Sequence, residues 1–546
     1  MATGTLSKIK TTRRQERKLE QLSPFELKNT LISLAQDEGK KNSAIMLNAG
    51  RGNPNWIATT PREAFFTLGL FGLQECRRIA DMAGGLAGIP EKKGIAKRFE
   101  KFLSSHKKAP GIDLLKGMYR YGLKQHKFDA DSWVHELAEG VIGDQYPVPD
   151  RMLTHMEAIV GDYIVQEMCD RTAPKIPFKM FAVEGGTAAM CYVFDSLQQN
   201  FLIKKGDAIA LMVPTFTPYI EIPQLDRFEF NVINLEASSM NKEGRHTWQY
   251  PDEELEKLKD PAVKVLFVVN PSNPPSVAIH PNSLNKIVKI IKQHNPNLIV
   301  VTDDVYGTFV PGFRSLMAVI PENTICVYSF SKYFGCTGWR LGVIAISDRN
   351  IFDKNIAQLP DHEKARLTIR YSSITLEPEK MSFIDRMVAD SRDVALNHTA
   401  GLSLPQQTQM LLFAAFALLD KKDKYKKLTQ DLVRKRLQLL WKELEIPQVQ
   451  DSMSAAYYTE IDIKIWGMKV YGDAFTKWLT THFEPVDILF RLAEKTGVVL
   501  LNGGGFDGPE WSIRVSLANL DTTDYPMIGK AITQIMREYA DAWKGK

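Results

Sequence analysis

Cysteine is scarce in this chain. The five, Cys76, Cys169, Cys191, Cys326 and Cys336, are spread over 546 residues, and none falls at a CxxC or Cys/His spacing that would hold zinc. That excludes a disulfide-stapled scaffold and predicts reduced thiols, a cytoplasmic compartment and no metal site. No apolar run approaches the roughly 18 residues that cross a bilayer. The first residues, MATGTLSKIKTTRRQERKLEQ, lack the apolar core of a secretory signal, so no membrane partner is expected. Repeats and low-complexity tracts are missing too. Charge is not one-sided: the formal net value is +5, and basic residues cluster only in the first arm, at Lys8, Lys10, Arg13, Arg14, Arg17 and Lys18. Such a short arm reads as a solvated or interface tail, and nucleic acid is not expected as a partner. What is present, 44% hydrophobic and 24% charged residues, suits two or more packed globular domains.

In chain order, residues 1–21 read as a mobile arm. Ser23-Pro24-Phe25-Glu26 then opens a helix, with Ser as N-cap, Pro at the first helical position and Glu in the capping-box place; it is expected to run to about Asp37. SAIMLNAGRGNPNW reads as a short strand entering a Gly-rich turn around Arg51. Residues 22–75 are assigned to the N-terminal part of a small domain with that turn, and 76–140, helical and interrupted by Gly and Pro, to an inserted segment. After GDQYPVPDRM, which holds Tyr146, a helix is expected through about Arg171. From Phe178 short apolar strands alternate with helices: FKMFAVE, DAIALMVP, VKVLFVVN, NLIVVTDDVY and TICVYSF. Each leads to chemistry-bearing residues just past its carboxyl end, which predicts an α/β fold with a mostly parallel sheet and a site along one edge. This large domain is assigned to 141–404, and a smaller α+β domain to 405–546.

The stretch CVYSFSKYFGCTGWRLG, residues 326–342, focuses the chemistry. Lys332 follows a buried strand, where desolvation frees an amine for imine formation. Ser329, Ser331 and Arg340 offer donors to a phosphate dianion. These are the requirements of pyridoxal 5'-phosphate, although for this fragment alone a surface lysine in a Ser-rich turn reads equally well.

Taken together, Tyr146, Gly185-Gly186-Thr187, Phe216 with Tyr219, Asn273-Pro274, Asp303 with Tyr306, Ser329-x-x-Lys332, Arg340 and Arg514 resemble, in order, the fold-type I pyridoxal phosphate enzymes of the aspartate aminotransferase class. The resemblance implies a large domain around a seven-stranded sheet. It makes Lys332 the imine-forming and proton-carrying lysine, and Asp303 the partner of the pyridine nitrogen. Phe216 becomes the face stacked on the ring, with Asn273 and Tyr306 as partners of its phenolic oxygen. Gly185, Gly186, Thr187, Ser329, Ser331 and Arg340 become the phosphate cradle, joined by Tyr146 from a neighbouring subunit. Arg514 would grip the substrate α-carboxylate. Tyr219 reads equally as plain core.

Two departures from the class stand out: the long segment between Pro54 and Tyr146, and the loop NHTAGLSLPQQ, which has no arginine for a distal carboxylate. With LSPFELK, MLNAGRGNPNW and TTPREAFFTLGLFG, they make the chain resemble the bacterial aspartate 4-decarboxylases, which also act as aspartate aminotransferases. That implies conversion of L-aspartate to L-alanine and carbon dioxide, transamination with 2-oxo acids as a minor activity, and a homodimer as the minimal unit of a larger oligomer. Arg51 is the first candidate for the distal carboxylate, with Lys28 and Arg392 behind it, although Arg51 also reads as a salt bridge holding its turn. Two alternatives remain at this stage. One is an aspartate or broad aminotransferase carrying a helical insertion; the other is a non-catalytic regulatory protein on the same fold.

Overall fold

The structure is a computed structural model and describes residues 6, 9–42, 46–392 and 401–545. Its centre is a seven-stranded sheet: β1 (Phe178–Val183), β2 (Ala208–Val213), β3 (Asn231–Glu236), β4 (Val263–Val269), β5 (Ile299–Asp303), β6 (Thr324–Ser329) and β7 (Gly342–Ser347). The spatial order is β1-β7-β6-β5-β4-β2-β3. The inner strands are apolar on both faces because helices cover both, and β5, β6 and β7 are buried at every position. Strands β3, β2, β4, β5 and β6 run parallel, whereas β7 is antiparallel to both β6 and β1. The reversal has a local cause. The link from Ser329 to Gly342 contains no crossover helix, so the chain turns back beside β6. Neither β3 nor β7 is among the strands expected from sequence.

The segment before the sheet is helical. α1 (Arg13–Leu19), α2 (Pro24–Asn42), α3 (Thr59–Ile79), α4 (Ile95–Ser105), α5 (Ile112–Tyr121), α6 (Ala130–Ile142) and α7 (Thr154–Met168) precede β1. α2 runs past the end expected near Asp37, and α7 stops short of Arg171, where Asp170 and Arg171 both take positive φ. The arm expected to be mobile is docked over its described helix. Arg13 and Arg17 reach Glu484 at 2.5 and 2.8 Å, and Glu16 is buried beside them. Burial, reinforced by the Asp487 charge, raises the Glu16 pKa to about 8, so it enters as a neutral acid near neutrality.

α3, α5, α6 and α7 pack around α9 (Leu404–Leu419), after α8 (Gly186–Gln199) has covered the sheet. α9 is apolar almost all round, with residues 407–415 buried without a break. α9, which follows the expected boundary at residue 404, sits among the helices preceding the sheet.

The C-terminal unit holds a three-stranded antiparallel sheet of β8 (Tyr458–Asp462), β9 (Leu501–Asn502) and β10 (Ser512–Ser516), ordered β9-β10-β8. α10 (Asp487–Thr496) packs on α11 (Tyr525–Lys544), and α2 packs on α10 and on β9. Leu47–Asn48 pairs in parallel with Val498–Val499, which stitches the N-terminal turn to this unit. The turn is also latched to the lysine segment. Trp56 Nε1 donates to the Tyr333 carbonyl at 3.2 Å, Ala58 N to Phe334 O at 3.1 Å, and Arg62 Nη2 to Gly335 O at 2.7 Å. A Cβ on Gly335 would lie 1.8 Å from Trp56 O, so only glycine allows this approach.

Candidate active site

Where the carboxyl ends of β1, β2, β4, β5 and β6 face the C-terminal sheet, a cleft opens. Gly186, Thr187, Phe216, Asn273, Asp303, Tyr306, Ser329, Ser331, Lys332, Arg340 and Arg514 all line it. The register explains the convergence: Asp303 closes β5 level with Val269 and Val327, and Ser329 closes β6 opposite Gly342.

One end of the cleft is built of anion donors. The chain leaves β1, passes Gly185 and enters α8, whose first-turn N–H groups have no intrahelical acceptors and form the positive end of the helix dipole. Gly185 adopts φ +89, and a Cβ there would meet Arg340 Nη2 at 2.5 Å. Its absence lets the guanidinium lie against the backbone, where Arg340 donates to Thr337 O at 3.0 Å and Glu184 O at 3.2 Å. The Ser329 and Ser331 hydroxyls are 3.0 Å apart.

Deeper in the cleft, Asp303 is buried, accepting from the Tyr219 hydroxyl at 2.5 Å and from Val305 N at 3.2 Å. Burial pushes its pKa up, while the Tyr219 and Val305 hydrogen bonds and the Lys332 charge pull it back. Tyr219, ambiguous in the sequence, thus supports Asp303 from within the core. Phe216 stands edge-on to Tyr219 and to Phe25, at 5.5 and 5.9 Å between ring centres. Lys332 Nζ donates to the Gly52 carbonyl at 3.1 Å.

The opposite wall belongs to the C-terminal sheet. Arg514 is 1% exposed and sits on the Tyr458 ring at 4.3 Å, with Phe506 at 5.0 Å. It donates to Asn273 Oδ1 at 3.1 Å and Gly50 O at 3.0 Å, and its Nε has no protein partner. Burial lowers its pKa, and the group facing it across the sheet, Glu460, is itself raised to about 8 by burial. Arg514 is thus a desolvated guanidinium without an ion-paired carboxylate among the described residues, a costly arrangement unless an anion arrives.

Four expected residues lie elsewhere. Arg51 is exposed and is not among the cleft's lining, whereas its neighbours Gly52 and Asn53 are. Lys28 is half-buried behind the wall; burial first, then the Arg51 and Arg514 charges, push its pKa down. Arg392 is taken up by Asp150 at 2.6 Å. Tyr146 is 59% exposed and lines a separate groove with His135 and Leu404. Residues 397–400, which begin the arginine-free loop, lie outside the described residues. Sequence reasoning missed Phe25, Thr337 and above all Tyr458, which also line the cleft.

Comparison with known proteins agrees with this geometry. The profile of the family "Aminotransferase class I and II" matches residues 181–532. A bifunctional aspartate aminotransferase and L-aspartate beta-decarboxylase of a Pseudomonas species is 48% identical over 97% of this chain and 98% of its own. An aspartate aminotransferase of Pyrococcus abyssi is 26% identical over 42% of this chain and 57% of its own. The solved structure of Thermus thermophilus aspartate aminotransferase with maleate superposes with a TM-score of 0.57 at 16% identity, covering 96% of this chain and all of that one. It shares the fold-type I architecture. Pyridoxal 5'-phosphate is the cofactor of this class, and the cleft fits it: anion donors at a point that a Cβ on Gly185 would fill, with the buried Asp303 carboxylate and the Lys332 amine lining the same space. By profile and by full-length similarity, this chain belongs to the class I and II aminotransferases.

Proposed function

We propose that this enzyme removes the β-carboxylate of L-aspartate as carbon dioxide and yields L-alanine, with transamination between aspartate and 2-oxo acids as a minor second outcome. The full-length relation to the bifunctional Pseudomonas protein carries the reading. It extends through the helical segment before β1, which the family profile leaves out. The cleft supports it by chemistry. Arg514, the buried cation, would hold the α-carboxylate, with Asn273 beside it. Lys332 would move the α proton. The cofactor, when bound, supplies an electron sink at the α carbon. Asp303 would keep the ring nitrogen protonated, Phe216 would cover the ring, and Tyr306 would bond its oxygen. Gly185, Gly186, Thr187, Ser329, Ser331 and Arg340 would hold the phosphate.

The distal carboxylate has a cationic rim to meet. Arg51 and Arg514 both lie near Lys28, whose pKa is pushed down by burial first and then by these two charges. Arg51→Ala is expected to raise KM for aspartate about tenfold more than for alanine, which lacks that carboxylate. Equal effects would remove Arg51 from the role.

We further infer a homodimer as the minimal unit of a larger assembly, with Tyr146 completing a neighbour's phosphate site. Its exposure away from its own cleft supports this, as do the exposed Ile57, Phe66, Leu70 and Val148. A cytoplasmic location fits the free cysteines; among the described residues no helix is long and apolar enough to cross a membrane.

The deciding experiment incubates the holoenzyme with L-aspartate and no 2-oxo acid. Stoichiometric alanine and carbon dioxide over many turnovers are expected. A single half-turnover to oxaloacetate that then waits for a 2-oxo acid would make the chain a transaminase alone.

A further inference from the structure

Decarboxylation at the β carbon needs one proton transfer more than transamination does. When the bond to the departing carboxylate breaks, its electron pair stays on the substrate and must capture a proton at the β carbon. The overall change is aspartate plus one proton to alanine plus carbon dioxide, with no oxidation or reduction. Lys332 serves the neighbouring α carbon, so a second acid is called for on the Gly52 side of the cleft.

The hydroxyls of the cleft differ in what they already do. Tyr219 donates to Asp303, and Tyr457 donates to the Gly52 carbonyl at 2.8 Å. Ser329 is bonded to Ser331 on the phosphate side. Tyr306 donates to the Tyr458 hydroxyl at 3.1 Å. Tyr458 accepts that bond and gives its own proton to no protein acceptor among the described residues, although it is 3% exposed and lines the cleft. Its position is equally specific. A Cβ built on Gly52 would lie 2.6 Å from Tyr458 Oη and 3.3 Å from Lys332 Nζ, so the two groups flank one point. The Tyr458 ring rests on Arg514, the cation that would hold the α-carboxylate. A substrate gripped there and presented to Lys332 therefore carries its β carbon past the Tyr458 hydroxyl.

We propose that Tyr458 is the acid that protonates the β carbon after carbon dioxide departs. This rests on the decarboxylase reading above. The O–H bond breaks, its proton joins the electron pair on carbon, and the phenolate regains a proton from water.

Tyr458→Phe in the holoenzyme tests this, since the ring and its packing on Arg514 are retained. Alanine formation should fall about 100-fold. The half-reaction to oxaloacetate, followed in a single turnover, should stay within about threefold, and so should KM for aspartate. Titration of the apoprotein with pyridoxal phosphate by fluorescence should give an unchanged affinity. Tyr457→Phe, which removes the neighbouring hydroxyl, should leave the ratio of alanine to oxaloacetate as it was. Equal loss of both reactions in Tyr458→Phe, a weakened cofactor affinity, or undiminished alanine formation would each overturn the assignment alone. Wild-type enzyme that releases no carbon dioxide would remove the decarboxylase reading and this assignment with it.

Discussion

The two walls of the cleft hold positive charge in opposite ways. On the sheet side, Arg340 is exposed, leans on backbone carbonyls and is joined by helix N–H groups and serines. On the C-terminal side, Arg514 is fully buried among aromatic rings and touches only an amide and a carbonyl. On the reading proposed above, the first wall would hold a phosphate dianion by many donors, each modest and partly hydrated. The second would hold one carboxylate with one desolvated fork. Loss of one donor should therefore be graded on the first wall and severe on the second.

The largest expected effect follows from that contrast. Arg514→Ala should raise KM for aspartate about 100-fold while leaving pyridoxal phosphate affinity nearly unchanged, as read by steady-state kinetics and apoprotein titration. Gly185→Ala should do the converse. Its Cβ would displace the Arg340 guanidinium, weakening cofactor affinity about tenfold, with aspartate KM little altered once the cofactor saturates. The glycine conformation also implies a stability cost of roughly 1–3 kcal/mol. If both variants damaged both ligands equally, the two walls would be one unit and the contrast would fail.

The smallest effect concerns Glu460, behind Arg514. Its folded pKa, about 8, stands above the ordinary 4.5, so the folded state holds its proton more tightly than the unfolded one. That contribution is complete below about pH 4.5 and is lost as pH rises through about 8, at up to about 1.4 kcal/mol per pH unit. Glu460→Gln should flatten the decline of the apoprotein's Tm with pH across that window. An unchanged slope would mean Glu460 ionises freely and partly neutralises Arg514.

Much of the first wall was legible in the sequence because its residues end apolar strands. Asp303, Ser329 and Lys332 follow runs whose burial is unmistakable, and a sheet edge must then collect them. The second wall was not. Tyr458 begins a strand within AAYYTE, where nothing local distinguishes a cleft-lining tyrosine from its core neighbour Tyr457. Arg51 shows a related limit: flanking glycines announce a turn but leave open which side chain faces inward. The reversal of β7 depends on a connection whose length is visible but whose path is not. The place of α9 depends on four helices hundreds of residues earlier.

The latch between the N-terminal turn and the lysine segment bears on how the chain is made. Gly52 waits for Lys332, 280 residues later, and Gly50 waits for Arg514, 464 residues later. During synthesis the turn that closes the cleft leaves the ribosome early and finds no partner for on the order of a minute. The site is thus completed last, by its oldest piece, and no amino-terminal fragment of the nascent chain can be active before β10 has emerged.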